Sequence, residues 1–178
     1  MADQKDLDYS YIRMCEERAT LSKAIRMKVG CLIVKDNQII SDGFNGTPCG
    51  FDNTCEERVQ KVVEWDDARG QPPEGAIRDQ LKYKSYVPVW VPGETKPEVL
   101  HAESNAITKL ARSTQSSEGS TLYSTLSPCF ECAKLIIQAG IKRVVYKEEY
   151  RHGNGLDLLL KAEILVQKLP DRDWETRT

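Results

Sequence analysis

At 178 residues the chain is about one domain long and can bury a core of its own. With 40% hydrophobic and 29% charged residues it is neither a disordered chain nor a membrane protein, and no run approaches the ~18 consecutive apolar residues of a spanning helix. A formal net charge of −2 gives no field to hold a nucleic acid, so neither nucleic acid nor membrane is expected as a partner.

Residues 7–27 put Ile12, Cys15, Ala19 and Leu21 at helical spacing without Gly or Pro, and predict an amphipathic helix. Residues 29–34 and 39–44 are rich in β-branched side chains around Lys35-Asp36-Asn37-Gln38, and predict a β-hairpin. The glycine-bearing turn Gly43-Phe44-Asn45-Gly46 closes it. From about 47 to 99 the apolar pattern fades and Pro72, Pro73, Pro88, Pro92 and Pro97 break it repeatedly, which predicts an irregular insertion. Within it Val59, Val62 and Val63 share a helical face and predict a short helix over 56–68. Regular alternation returns at His101, with helices over 102–112, 130–139 and 155–162. Strands are predicted over 121–125, 143–146 and 163–167, with a polar tail after Pro170. Strands alternating with helices after a hairpin predict a largely parallel sheet covered on both faces, in a single domain over 1–178.

The amino terminus lacks an apolar signal core, which predicts a cytoplasmic protein. Six cysteines are sparse for a disulfide scaffold of this length, so reduced thiols are expected. Pro128-Cys129-Phe130-Glu131-Cys132 places two thiols three apart at the start of a predicted helix, where they share a face and the helix dipole favours thiolates. Alone, the pair also fits a redox dithiol or two buried cysteines. His101-Ala102-Glu103 opens another predicted helix, and a lone histidine beside an acid is most often a surface or core residue. Together they supply one imidazole and two thiolates, three metal ligands that leave a tetrahedral position open for water. Glu103 stands two residues beyond the histidine, placed to reach that water as a general acid and base.

His-x-Glu followed by Pro-Cys-x-x-Cys is the pattern of zinc-dependent nucleobase deaminases. The chain further resembles the deoxycytidylate (dCMP) deaminases of phage and bacterial type at Val29 to Gly50, at His101 to Ile107 (HAESNAI), and at Leu122 to Tyr146 with SPCFECAK and QAGIKRVVY. The resemblance implies a three-layer α/β/α domain with a central mixed five-stranded sheet. It implies hydrolytic deamination of dCMP to dUMP and ammonia, feeding thymidylate synthesis, with Zn2+ held by His101, Cys129 and Cys132. Glu103 would protonate ring nitrogen 3 and then carry a second proton to the leaving amine. Arg26 and Arg151 match positions for the 5′-phosphate, Tyr150 the aromatic that packs on the cytosine, and Asn45 a sugar contact, with Ala102 also at the substrate site. Asp42, Gly43, Phe44, Asn45 and Gly46 match a regulatory nucleotide site, with Phe44 where the family has tyrosine, at which dCTP activates and dTTP inhibits. Mg2+ would accompany the triphosphate. An ordinary tight turn is the alternative for those residues. Some relatives hold a second zinc through cysteines and histidines ahead of the His-x-Glu motif; Cys49 and Cys55 are here without a histidine, so one zinc per subunit is expected. A homo-oligomer, most simply a homohexamer, is implied as well. The competing functions are deamination of another cytosine nucleoside or nucleotide, of a transfer-RNA adenosine or of a riboflavin precursor, and a non-catalytic zinc-binding module.

Overall fold

In the computed structural model, which describes residues 3–66, 71, 76–79, 84–150 and 154–170, the alternation of Cys31-Leu32-Ile33-Val34 divides the core in two. Elements follow the order α1 (Gln4–Thr20), β1 (Gly30–Lys35) and β2 (Gln38–Phe44), then β3 (Glu56–Glu64), β4 (Ile77–Asp79) and β5 (Lys84–Thr95). They continue with α2 (Ala102–Leu110), β6 (Thr121–Leu126), α3 (Phe130–Gln138), β7 (Arg143–Glu148), α4 (Asn154–Lys161) and β8 (Leu165–Lys168). Internal contacts separate Met1–Thr54 with Glu98–Thr178 from Cys55–Pro97.

The larger unit holds a five-stranded sheet in the order β2-β1-β6-β7-β8. The β1–β2 and β1–β6 pairs are antiparallel; β6–β7 and β7–β8 are parallel. The hairpin turns at Asp36 and Asn37, both at positive φ (50° and 59°), a conformation these short polar residues tolerate and two-residue hairpins require. Leu32, Val34, Tyr123 and Val145 face Tyr9, Ile12 and Cys15 of α1. Cys31, Ile33, Leu122 and Val144 face Ala102 and Ala106 of α2, Ala133 and Ile136 of α3, and Leu159 of α4. One helix therefore covers one face and three cover the other, a three-layer α/β/α arrangement around a mixed five-stranded sheet. Each large side chain so buried contributes roughly 1.5–3 kcal/mol.

A polar cluster lies between α1 and the starts of β6 and β7. Asp8, 1% exposed, accepts hydrogen bonds from Arg143 Nη1 (2.8 Å) and Nη2 (2.5 Å), Tyr123 Oη (2.7 Å) and Gln4 Nε2 (2.9 Å). Burial opposes ionisation of this carboxyl, and these donors outweigh it, holding it below the usual range.

Two expectations are corrected. The first helix stops at Thr20 rather than at residue 27, because Ser22 bonds to Asn45 and the chain turns towards β1. The segment read as irregular, with a helix over 56–68, contains instead a three-stranded antiparallel sheet in the order β3-β5-β4. Val59, Val62 and Val63 pair with Val91, Pro88 and Val87; their β-branched side chains suit a strand, and a partner some thirty residues away overrides the local helical spacing. Among the described residues β4 pairs with Lys84 to Tyr86 of β5, so Pro88 and Pro92 lie beyond that pairing, where a missing N–H donor is tolerated. The polar tail lies outside the described residues beyond Pro170. No helix among the described residues is long and apolar enough to cross a membrane.

Candidate active site

Parallel strand β6 ends at Leu126, and Ser127-Pro128 leads directly into α3, so Cys129 is the residue before the helix and Cys132 sits in its first turn. His101 holds the same place ahead of α2. Two helix amino-termini thus meet beyond the carboxyl end of β6. His101 Nδ1 lies 3.4 Å from Cys129 Sγ and 3.4 Å from Cys132 Sγ, and all three donor atoms fall within 4.8 Å of one another. Tetrahedral zinc with ordinary Zn–N and Zn–S bonds separates its nitrogen and sulfur ligands by about 3.6 Å, so this donor set fits the ion in type and spacing. It is the one such cluster of three ligand side chains found among the described residues.

The electrostatics agree with the donor set. The Cys129 thiol is pushed down to about 3, chiefly because the Cys132 thiol donates to it and then because His101 does. As that donor, and through burial, Cys132 is pushed up. His101 is raised, first by its bond to Cys129. Glu103, in the first turn of α2 and 4% exposed, is pushed up to about 7 by burial. A carboxyl near neutrality can both accept and donate a proton at working pH. A zinc ion in this site would lower the pKa of a coordinated water towards neutrality. The chain's own contribution is a buried carboxyl two residues from a cluster of three ligand side chains at the starts of α2 and α3.

Close backbone packing holds the ligands. A Cβ at Gly43 would stand 2.1 Å from the Ala102 carbonyl oxygen, so this glycine lets β2 seat α2. A Cβ at Gly155 would stand 2.1 Å from the Pro128 carbonyl oxygen, so α4 seats the Cys129 turn in the same way. Ser127 Oγ accepts a bond from Tyr150 N (2.8 Å), tying the chain after β7 to the chain after β6. Asn105 Nδ2 donates to the Phe44 carbonyl (2.9 Å), one turn along α2 from His101. Ser127, Asn105 and Gly155 were not singled out as site residues from the sequence, since their partners lie 23 to 61 residues away and no local spacing announces them.

The remaining candidates fall as follows. Ala102 is fully buried between His101 and Glu103. Tyr150 is exposed beyond β7, and Arg26 is exposed between α1 and β1. Arg151 lies outside the described residues, as does His152. Asp42 pairs with Arg18 (3.1 Å) and Lys109 (3.4 Å), and the Lys109 ammonium stands over the Phe44 ring, 5.8 Å from its centroid. Both ends of the Asn45 amide bond to backbone, Oδ1 to Val29 N and Nδ2 to the Met27 carbonyl (2.8 Å each). Gly43 and Phe44 belong to β2, not to a free turn, while Gly46 exchanges two main-chain bonds with Leu100. Cys15 and Cys31 are buried free thiols, and Cys49 and Cys55 are also free.

A three-layer α/β/α fold with one imidazole and two thiolates at paired helix starts, and a buried carboxyl beside them, defines a zinc-dependent hydrolase of the nucleobase deaminase class. The model of the cytidine and deoxycytidylate deaminase zinc-binding region matches residues 5–148. The deoxycytidylate deaminase of Enterobacteria phage T4 is 37% identical over 170 residues, spanning 86% of this chain and 88% of that protein. The deoxycytidylate deaminase of Mycobacterium phage D29 is 33% identical, spanning 81% of this chain and 96% of that one. The crystal structure of the dCMP deaminase from cyanophage S-TIM5 in complex with dCMP and dUMP superposes with a TM-score of 0.72 at 36% identity, covering 94% of this chain and 99% of that chain. The chain belongs to the cytidine and deoxycytidylate deaminase family and is a deaminase.

Proposed function

We propose that the chain hydrolyses dCMP to dUMP and ammonia as a single deaminase domain carrying Cys55–Pro97 as an insert, using one zinc held by His101, Cys129 and Cys132. The observation that carries this reading is the buried Glu103 carboxyl two residues from a site with three, and not four, ligand side chains among the described residues. A closed structural site would have recruited a fourth side chain, and a binding module has no use for a buried acid there. The choice of dCMP draws on the deoxycytidylate deaminases of T4 and D29 and on the S-TIM5 enzyme crystallised with dCMP and dUMP.

In this reading Glu103 donates a proton to ring nitrogen 3 as oxygen adds to carbon 4. It then takes the proton of the added hydroxyl and delivers it to the amine, which leaves as ammonia. Arg26 and Arg151 hold the 5′-phosphate, Tyr150 packs on the base, and Ala102 backs the site. Ammonia release from dCMP, with metal content measured on the same sample, tests the assignment. Glu103→Gln should keep one zinc per chain and lose about a hundredfold to ten-thousandfold in kcat. Near-normal turnover in that variant refutes the role of Glu103, and a metal content of two zinc per chain refutes the single site.

The same proposal extends to a homohexamer in the cytoplasm that supplies dUMP for thymidylate synthesis, activated by dCTP with Mg2+ and inhibited by dTTP around residues 42–46. dCMP turnover with and without each triphosphate, beside sedimentation of the protein, tests this extension. A hyperbolic response untouched by either nucleotide removes the regulatory part and leaves the deaminase standing.

A further inference from the structure

Between the end of α1 at Thr20 and the start of β1 at Gly30 the chain forms neither helix nor strand, and Asn45, from beyond β2, bonds to it at several points. Asn45 accepts a bond at its carbonyl from Ser22 Oγ (2.7 Å) and donates its own N–H to the Val29 carbonyl (3.2 Å). Its side chain closes the strap: Oδ1 accepts from Val29 N, and Nδ2 donates to the Met27 carbonyl (2.8 Å each). Ser22, itself buried, in turn receives Ala24 N (3.2 Å). An amide side chain is required, because one end must accept and the other donate. Aspartate keeps the acceptor and loses the donor; alanine loses both.

The strapped segment sits at the metal-bearing end of the sheet. Met27, Lys28 and Val29 line a groove with Thr125 and Leu126 at the end of β6 and Lys147 and Glu148 at the end of β7, the end from which Cys129 departs. On its other side the backbone of Phe44 is held by Asn105 of α2, the helix that His101 opens. Asn45 therefore joins residues 22–29 to the framework that carries the metal ligands. Arg26 lies inside the strap.

We propose that Asn45 is a positioning residue that fixes residues 22–29, and with them the Arg26 guanidinium, for the 5′-phosphate of the nucleotide, in place of the sugar contact expected from resemblance. This rests on the reading of Arg26 as a phosphate ligand. The test compares KM and kcat for dCMP and for deoxycytidine, which lacks the phosphate, in Asn45→Ala, Arg26→Ala and the double variant. Amide hydrogen exchange over residues 22–29 is followed in the same zinc-loaded proteins.

Assayed without any triphosphate, Asn45→Ala should raise KM for dCMP roughly tenfold more than it raises KM for deoxycytidine, and the double variant should be no worse than Arg26→Ala. Exchange over 22–29 should rise in Asn45→Ala, with Asn45→Asp intermediate. Equal losses on the two substrates, or losses that multiply in the double variant, overturn the proposal in favour of direct contact. Should Arg26→Ala leave KM for dCMP unchanged, the phosphate reading has failed and with it the proposed purpose of the strap. Unchanged exchange at Val29 in Asn45→Ala shows that the strap itself is wrong. If the alanine variant does not fold, Asn45→Asp carries the same kinetic comparison.

Discussion

Replacing Arg143 with leucine strands the Asp8 carboxylate in the interior between α1 and the sheet. Arg143 makes two charge-assisted bonds to Asp8, at 2.8 and 2.5 Å, and a third to Gln167 Oε1 at 2.7 Å. Tyr123 and Gln4 remain as neutral donors. Removing one partner of a buried pair costs about 3–5 kcal/mol. For a chain of this size that is a fall in Tm of roughly 6–20 °C.

The effect carries a signed dependence on pH. In the wild-type protein the folded Asp8 carboxyl lies below its ordinary 3.8, so the stability it contributes is present above that value and is lost only as pH falls through the folded value. Without Arg143, burial becomes the dominant influence and raises the folded value above 3.8, so the penalty is greatest at neutral pH and relaxes on acidification. Urea unfolding of zinc-loaded wild type and Arg143→Leu at pH 7.5 and pH 5 should therefore show a stability gap that narrows at the lower pH. Asp8→Asn combined with Arg143→Leu should recover much of the loss, since no charge is then buried. Activity at 10 °C should stay within about twofold, because Arg143 opens β7 at the end of the sheet away from Cys129. A gap under 1 kcal/mol, or one of equal size at both pH values, refutes the argument that Asp8 is ionised and held chiefly by Arg143.

Other perturbations probe how the site is held. Gly43→Ala drives a methyl against the Ala102 carbonyl, 2.1 Å away, and should cost about 1–3 kcal/mol and weaken zinc binding as α2 shifts. Unchanged urea midpoints and zinc titrations would disprove that packing role. Stripping the metal with a chelator should lower Tm by roughly 5–10 °C relative to protein with free zinc at a hundred times its dissociation constant. That increment should vanish in His101→Ala, and its persistence there would place the ion elsewhere. Ser127→Ala removes the acceptor for Tyr150 N and should cost about 1–2 kcal/mol with a several-fold rise in KM for dCMP, whereas an unaltered KM would separate this bond from substrate binding.

The chemistry was readable because its signals are local. Cys129 and Cys132 are one helical turn apart, and His101 and Glu103 share the first turn of another helix, so residue type and spacing along the chain are enough to name the donors. The hairpin, and the helices and parallel strands that follow His101, were likewise predicted within a few residues, since each carries its own apolar period. The failures share a cause. The valines of β3 have helical spacing, yet β5 claims them from across the intervening chain. The predicted helix over 7–27 has no breaker within it, yet it ends at Thr20 because Ser22 finds Asn45.

Asn45 marks the boundary between the two kinds of information. Its residue type and place beside Gly46 drew attention to a ligand-binding turn, and nothing in the neighbouring sequence says that its amide is bonded to Val29 and Met27. Asp42 is alike, held by cations from two different helices. By itself the sequence determined the donor set of one imidazole and two thiols, the acid two residues from the histidine and the alternation of the main sheet, all properties of residue type and short-range period. The convergence of His101 with the two cysteines, the sheet within the insert and the partners of the polar side chains were decided only by the tertiary structure. Hydrogen bonds and strand pairs form between groups that meet in space, and their separation along the chain leaves no periodic trace.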